Sequence, residues 1–231
     1  MSFWRNIRTL AARRAKEPDC ATCPEGLPGD DPQFAMAVTA LGAKLAKADG
    51  RADDGEFAAF SEVFQAEGRV ERDVHRLYEL ARQTTRGFQG YARQLRKRYS
   101  GCPQLLEDVL DGLFHIAKSD GAVTAMEVDY LEEVAHEFGL SPLAFRRVRA
   151  IHLGAPADDP YVVLDVAPDA PVETIRTAWK KALSEAHPDR ALGRGLPTEY
   201  VEVAQAKSAA INAAYDRAMR DRRELVGAGA A

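Results

Sequence analysis

From Phe34 to Ile151 apolar residues return every three or four positions, and no convincing two-residue alternation of the strand kind interrupts them. Phe34, Val38, Leu41 and Leu45 make one such set. Phe57, Phe60, Val63 and Phe64 make the next, followed by Val74, Leu77, Tyr78 and Ala81, then by Phe88, Tyr91 and Leu95. Leu106, Val109, Leu110, Leu113 and Ala117 come after these, then Tyr130, Leu131, Val134 and Phe138, and finally Phe145, Val148 and Ile151. Each set is one apolar face of a helix, and such faces are buried by packing on one another. The pattern predicts an all-α bundle of about seven short helices across residues 32–153. Its first helix has Asp31 as N-cap and Pro32 at the first helical position, where the missing N–H is no loss. Its last opens at Ser141-Pro142.

With 231 residues, 46% hydrophobic and 29% charged, the chain has ordinary globular composition and room for one large or two small cores. A net charge of -4 supplies no broad basic surface, so nucleic acid is not an expected partner. No stretch approaches the roughly 20 apolar residues of a spanning helix, and no secretory signal opens the chain. The expected location is therefore cytoplasmic. Residues 2–16 carry Phe3, Trp4, Ile7, Leu10 and Ala11 on one helical side, with Arg5, Arg8, Arg13, Arg14 and Lys16 and no acid. Such a basic amphipathic segment can lie on an anionic membrane surface, pack on the following domain or fray. Residues 17–31 are rich in Pro and Gly and read as a linker. Cys20 and Cys23 lack a second ligand pair for zinc and are expected to be reduced surface thiols, while Cys102 stands alone before a proline. There is no Gly-rich phosphate loop, nucleophile elbow or H-E-x-x-H helix, and an enzyme is not expected.

Within the helical region Lys47-Ala48-Asp49-Gly50 followed by Glu56 is echoed by Lys118-Ser119-Asp120-Gly121 followed by Glu127. Both copies also fit helix-turn-helix corners, because Gly50 and Gly121 suit helix ends while Asp53 with Glu56 and Thr124 with Glu127 fit capping boxes. Neither has the spacing of an EF-hand. The echoed corners resemble the TerB family, an all-helical domain associated with tellurite resistance, over roughly residues 32–153. The resemblance implies a divalent-cation site as an alternative use of Asp49, Glu56, Asp120 and Glu127, since hard carboxylates suit Ca²⁺ or Mg²⁺; otherwise no cofactor is expected.

After a short linker at residues 154–159 the pattern changes to Pro160-Tyr161-Val162-Val163-Leu164, a short helix, and then to residues 172–186, where Ile175, Ala178, Trp179 and Ala182 form an apolar stripe and Arg176, Lys180 and Lys181 lie across from it. His187-Pro188-Asp189 ends this helix, because a residue before proline is pushed out of the helical region. A polar loop over residues 190–197 follows, then a long helix from about Thr198 with Val201, Ala204, Ile211, Ala214 and Tyr215 as its inner face. The two helices are expected to run antiparallel and to present the tripeptide at their connecting end.

This order of a Tyr-x-x-Leu helix, a basic Ile-x-x-Ala-Trp-Lys-Lys helix, His-Pro-Asp-Arg and a final Ile-Asn-x-Ala-Tyr helix resembles the J-domain of the DnaJ family over residues 159–225. A helical domain ahead of a C-terminal J-domain is most similar to the DjlA branch, though without its transmembrane anchor. The resemblance implies a co-chaperone that stimulates ATP hydrolysis by a DnaK-type heat-shock ATPase and delivers or localises an unidentified client through the TerB-like domain. His187, Pro188 and Asp189 would engage that partner, with Arg176, Lys180, Lys181 and Arg190 steering it. Ser208 and Glu185 depart from the usual J-domain pattern, where a large aromatic and a base are common. The competing reading is a metal-binding or scaffolding TerB-like protein with a degenerate J-like domain. Residues 226–231 are expected to be a disordered tail.

Overall fold

The computed structural model describes residues 31–48, 86–118, 121–153, 160–196 and 200–228. Every regular element among them is helical. The sets at Phe57–Phe64 and Val74–Ala81, and residues 2–16, lie outside the described residues, as do Cys20, Cys23 and both linkers.

Helix α1, Pro32–Leu45, begins as its sequence requires: the Asp31 carboxylate accepts from the Gln33 N–H at 3.0 Å and Pro32 stands in the first turn. The same carboxylate accepts from Tyr99 Oη at 2.8 Å and pairs with Arg98, fastening the start of α1 to the end of α2, Phe88–Arg98. Helix α3, Pro103–Lys118, runs through the middle; α4, Ala125–Phe138, and α5, Pro142–Leu153, pack on it, and α1 packs on α2 and α3. Thr124 and Glu127 close the capping box read from the sequence, with Glu127 Oε2 accepting from the Thr124 N–H at 2.7 Å. Gly139 takes the left-handed conformation at φ 77° that ends α4.

The core joins Phe34, Val38 and Leu41 of α1 to Leu95, Leu110, Leu113, Phe114, Leu131, Val134 and Val148, all nearly inaccessible. Phe88 meets Tyr130 at 4.6 Å between ring centres and Phe34 meets Tyr99 edge-on at 5.5 Å. Each such side chain contributes about 1.5–3 kcal/mol on leaving water, so these predicted faces supply much of the drive to fold. Helix α3 departs from the simple amphipathic pattern. Its apolar face is buried as expected, and so are Glu107, Asp108 and Asp111 on its other side.

The C-terminal helices explain that burial. A single turn, α6 (Pro160–Val163), is followed by α7, Val172–Glu185, then α8, Pro188–Gly193, and the long α9, Tyr200–Ala228. Trp179 of α7 stacks on Tyr215 of α9 at 4.4 Å and donates to Asn212 Oδ1 at 2.9 Å. Arg222 donates to the carbonyls of Pro168 and Ala170 just ahead of α7. Early α7 therefore lies beside late α9, and the pair is antiparallel as anticipated. Along α9 the buried positions are Tyr200, Val203, Ala204, Lys207, Ile211, Ala214 and Ala218, whereas Val201 and Tyr215, expected inside, are only partly covered. The inner face is set by what α9 meets on both sides, α7 on one and α3 with α5 on the other. The ring of Tyr200 lies against Gly112 of α3, where a Cβ would sit 3.0 Å from the ring. Cys102 is buried and disulfide-bonded, so it is not the unpaired thiol that its isolation in the sequence suggested.

Candidate functional site: an exposed His-Pro-Asp turn anchored by buried charge

Helix α7 stops at Ala186, whose N–H still reaches the Ala182 carbonyl at 2.9 Å, and His187 then adopts the extended conformation that Pro188 imposes, φ −64° and ψ 133°. The following residues form α8 rather than the polar loop anticipated over 190–197. Pro188 occupies its first turn, and His187 is its N-cap, with Nδ1 accepting from the Asp189 N–H at 3.2 Å. That contact leaves the proton of a neutral imidazole on Nε2. The His187 and Asp189 side chains are 60% and 64% exposed, so the tripeptide is presented outward from the end of the α7/α9 hairpin.

The four expected steering bases all reach the surface but not in one patch. Arg176 is paired with Glu173 at 2.9 Å, and Lys180 follows it one turn later on the same side. Lys181 lies one residue round the helix, 4.0 Å from Glu185, and lines a crevice of about 500 Å³ between α7 and the pair α3 and α5. Arg190 is exposed on α8, directly after the tripeptide. Ser208 is half-buried on α9.

Opposite the exposed end, α8 is tied down. Ala191 and Leu196 belong to the same apolar core as Leu106 and Leu110 of α3. Gly195 takes φ 86°, which turns the chain so that the Leu196 N–H meets the Ala191 carbonyl at 3.1 Å. Between them Arg194, the C-cap of α8, donates from Nε to Asp108 Oδ2 at 2.6 Å, with side-chain exposures of 8% and 5%. Lys207 of α9 reaches Asp111 at 2.5 Å and Glu107 at 3.7 Å. Arg147 of α5 makes a two-pronged contact with Glu107 at 2.8 and 3.0 Å, and His152 Nε2 lies 3.0 Å from Asp111 Oδ1.

Three buried acids of α3 thus face four basic side chains, Arg147 and His152 of α5 and Arg194 and Lys207 of the C-terminal helices. Desolvation pushes the Asp108 carboxyl up to about 6 against the pull of Lys207 and Arg194. Asp111 is held below the usual carboxylate range by Lys207 and His152, which overcome its own burial, and the surrounding acids hold Lys207 charged. Sequence reasoning missed this cluster because acids opposite an apolar stripe have the signature of a solvated face.

Of the carboxylates considered for a cation, Asp49, Glu56 and Asp120 lie outside the described residues. Glu127 is 2% exposed and its carboxylate is committed to the Thr124 N–H and hydroxyl. Among the described residues no three His, Cys, Asp or Glu side chains are arranged to hold a metal. No described helix is long and apolar enough to cross a membrane.

The family described as "Tellurite resistance protein TerB" matches residues 35–150, half of the chain, from within α1 to within α5. The chain belongs to the TerB family. Beyond the TerB domain it is similar to co-chaperones along most of its length. The Co-chaperone protein DjlA of Vibrio parahaemolyticus is 26% identical over 216 residues, covering 80% of this chain and 76% of the relative. That of Shewanella oneidensis is 25% identical and covers 82% and 78%, and that of Escherichia coli K12 is 25% identical and covers 79% and 77%. No solved structure matches the chain.

Proposed function

We propose that the protein is a J-domain co-chaperone, its J-domain formed by residues 159–225, that stimulates ATP hydrolysis by a DnaK-type heat-shock ATPase. The observation that carries this reading is the His187-Pro188-Asp189 turn, held outward at the end of an antiparallel hairpin and followed by a short helix that is itself anchored. The likeness to DjlA co-chaperones supports it. In this reading the turn makes the short-range contacts with the ATPase, and Arg176, Lys180, Lys181 and Arg190 supply long-range attraction to an acidic surface. Such attraction raises the encounter rate and fades as salt shortens the screening length. Pro188 and the His187 cap limit the conformations of the turn, so little ordering cost falls on binding. The TerB domain selects the client or the location, and its acidic echo needs no cation to be explained where Thr124 and Glu127 cap a helix.

The test is single-turnover ATP hydrolysis by a DnaK-type chaperone with this protein and with His187→Gln. Stimulation by the wild type and its loss in the variant are expected, since Gln keeps the polarity of the N-cap but not the imidazole. Equal rates with and without the wild-type protein would leave a scaffold with a degenerate J-like domain.

A further inference from the structure

The exposed half of α8 cannot order itself. Six residues are far below the length at which a helix is stable alone in water, and the N-terminal half of this one faces solvent. Its orientation must come from what it packs on: α9 beside it, and, at its other end, two apolar side chains and one ion pair that enter the TerB domain. The apolar contacts of Ala191 and Leu196 oppose removal of α8 but tolerate rotation about its axis. Arg194 is different. Its side chain is 8% exposed, the Nε of its planar guanidinium donates to one oxygen of Asp108, and the contact bridges 86 positions of sequence. The neighbouring acids are answered elsewhere, Glu107 by Arg147 and Lys207, and Asp111 by Lys207 and His152.

We infer that Arg194 is a positioning residue, acting through Asp108 of the TerB domain to fix the His-Pro-Asp turn before any partner arrives. The geometry stands without the co-chaperone reading, but its kinetic consequence rests on that reading. The TerB domain then does more than address the J-domain, because it holds the residues that fix the docking turn. Burial of the pair is poor value for stability, since a well-packed apolar pair fills such a site as well or better; its use is a fixed register.

The test uses the full chain with Arg194→Gln, Arg194→Lys and the neutral pair Asp108→Asn/Arg194→Gln. Amide hydrogen exchange of residues 187–196 is read first, against α9 residues 208–220 as an internal reference. Exchange in Arg194→Gln should be about ten-fold faster over 187–196 and unchanged over 208–220, a loosening equivalent to about 1.4 kcal/mol. In the ATPase titration the concentration of this protein giving half-maximal stimulation should rise by about the same factor, with the plateau unchanged, because the docked turn is the same in both proteins. Arg194→Lys should recover most of the shift. A purely structural role moves both exchange windows together and lowers the plateau instead. If Arg194→Gln does not fold, the neutral pair carries the same readouts, as it leaves no buried charge unpaired. Unchanged exchange over 187–196 in a folded variant, or an unshifted titration beside a stimulating wild type, overturns the assignment. A wild type that gives no stimulation while the exchange difference persists overturns the co-chaperone reading and leaves the positioning contact standing.

Discussion

Lys207→Met should be among the most damaging single substitutions in the chain that removes no core volume. Nζ of Lys207 lies 2.5 Å from Asp111 Oδ2 and 3.7 Å from Glu107, with 10% of its side chain exposed and 1% of that of Asp111. A surface pair of the same geometry would contribute about 0–1 kcal/mol. Here Met fills the space but leaves Asp111 ionised in the interior with only the His152 contact, and an uncompensated buried charge costs about 3–5 kcal/mol. Against a typical total of about 5–15 kcal/mol, that loss brings the protein near its unfolding threshold. Urea unfolding followed by far-ultraviolet circular dichroism at pH 7 measures it, with Asp111→Asn and the double variant completing the cycle. Asn keeps an acceptor for His152 and removes the charge, so the double variant should lose about 2 kcal/mol or more less than the two single losses together. A Lys207→Met loss under about 1 kcal/mol, or strict additivity in the cycle, would refute the reasoning, since either means that the pair is solvated.

Two further outcomes follow from the same physics at other sites. Because burial raises the Asp108 carboxyl to about 6, the folded protein keeps a proton between pH 4 and 6 that the unfolded chain has released; stability falls as pH rises through that window. Urea stability at pH 4 and 6.5 should therefore drop by about 2 kcal/mol in the wild type relative to Asp108→Asn, and a flat or rising difference would count against a desolvated carboxyl. At the opposite end of the bundle, Asp31→Ala removes the cap of α1 together with the partner of Arg98 and Tyr99 and should cost about 1–2 kcal/mol in thermal or urea unfolding. Asp31→Asn, whose side-chain oxygen still caps, should cost less, and equal losses would assign the effect to the ion pair alone.

The helices were legible because their signals act within one turn of the residues that carry them. Asp31-Pro32 and Thr124 with Glu127 start helices by satisfying backbone groups two or three positions away, and each did so as its sequence suggested. His187 left the helical region for the same local reason, a proline ahead of it. The apolar faces of α1 to α5 were equally plain, since a 3.6-residue rhythm fixes which side is buried whatever lies opposite. The anticipated loop after Asp189 failed on length: a one-turn helix has no period to read, and α8 is ordered by Ala191 and Leu196 entering a core made by distant residues.

By itself, then, the sequence determined where the longer described helices run, which stripe most of them bury and that a His-Pro-Asp turn ends the second-last of the long helices. Only the tertiary structure decided that Glu107, Asp108 and Asp111 leave water and that Arg194, Lys207 and Arg147 answer them. A charge is buried only where a counter-charge waits, and the partners of these acids lie up to 100 residues along the chain, as Lys207 does from Glu107. No local pattern on α3 records them. It is the folding of the C-terminal helices onto the TerB domain that turns what looks like a solvated acidic face into the anchor of the exposed turn.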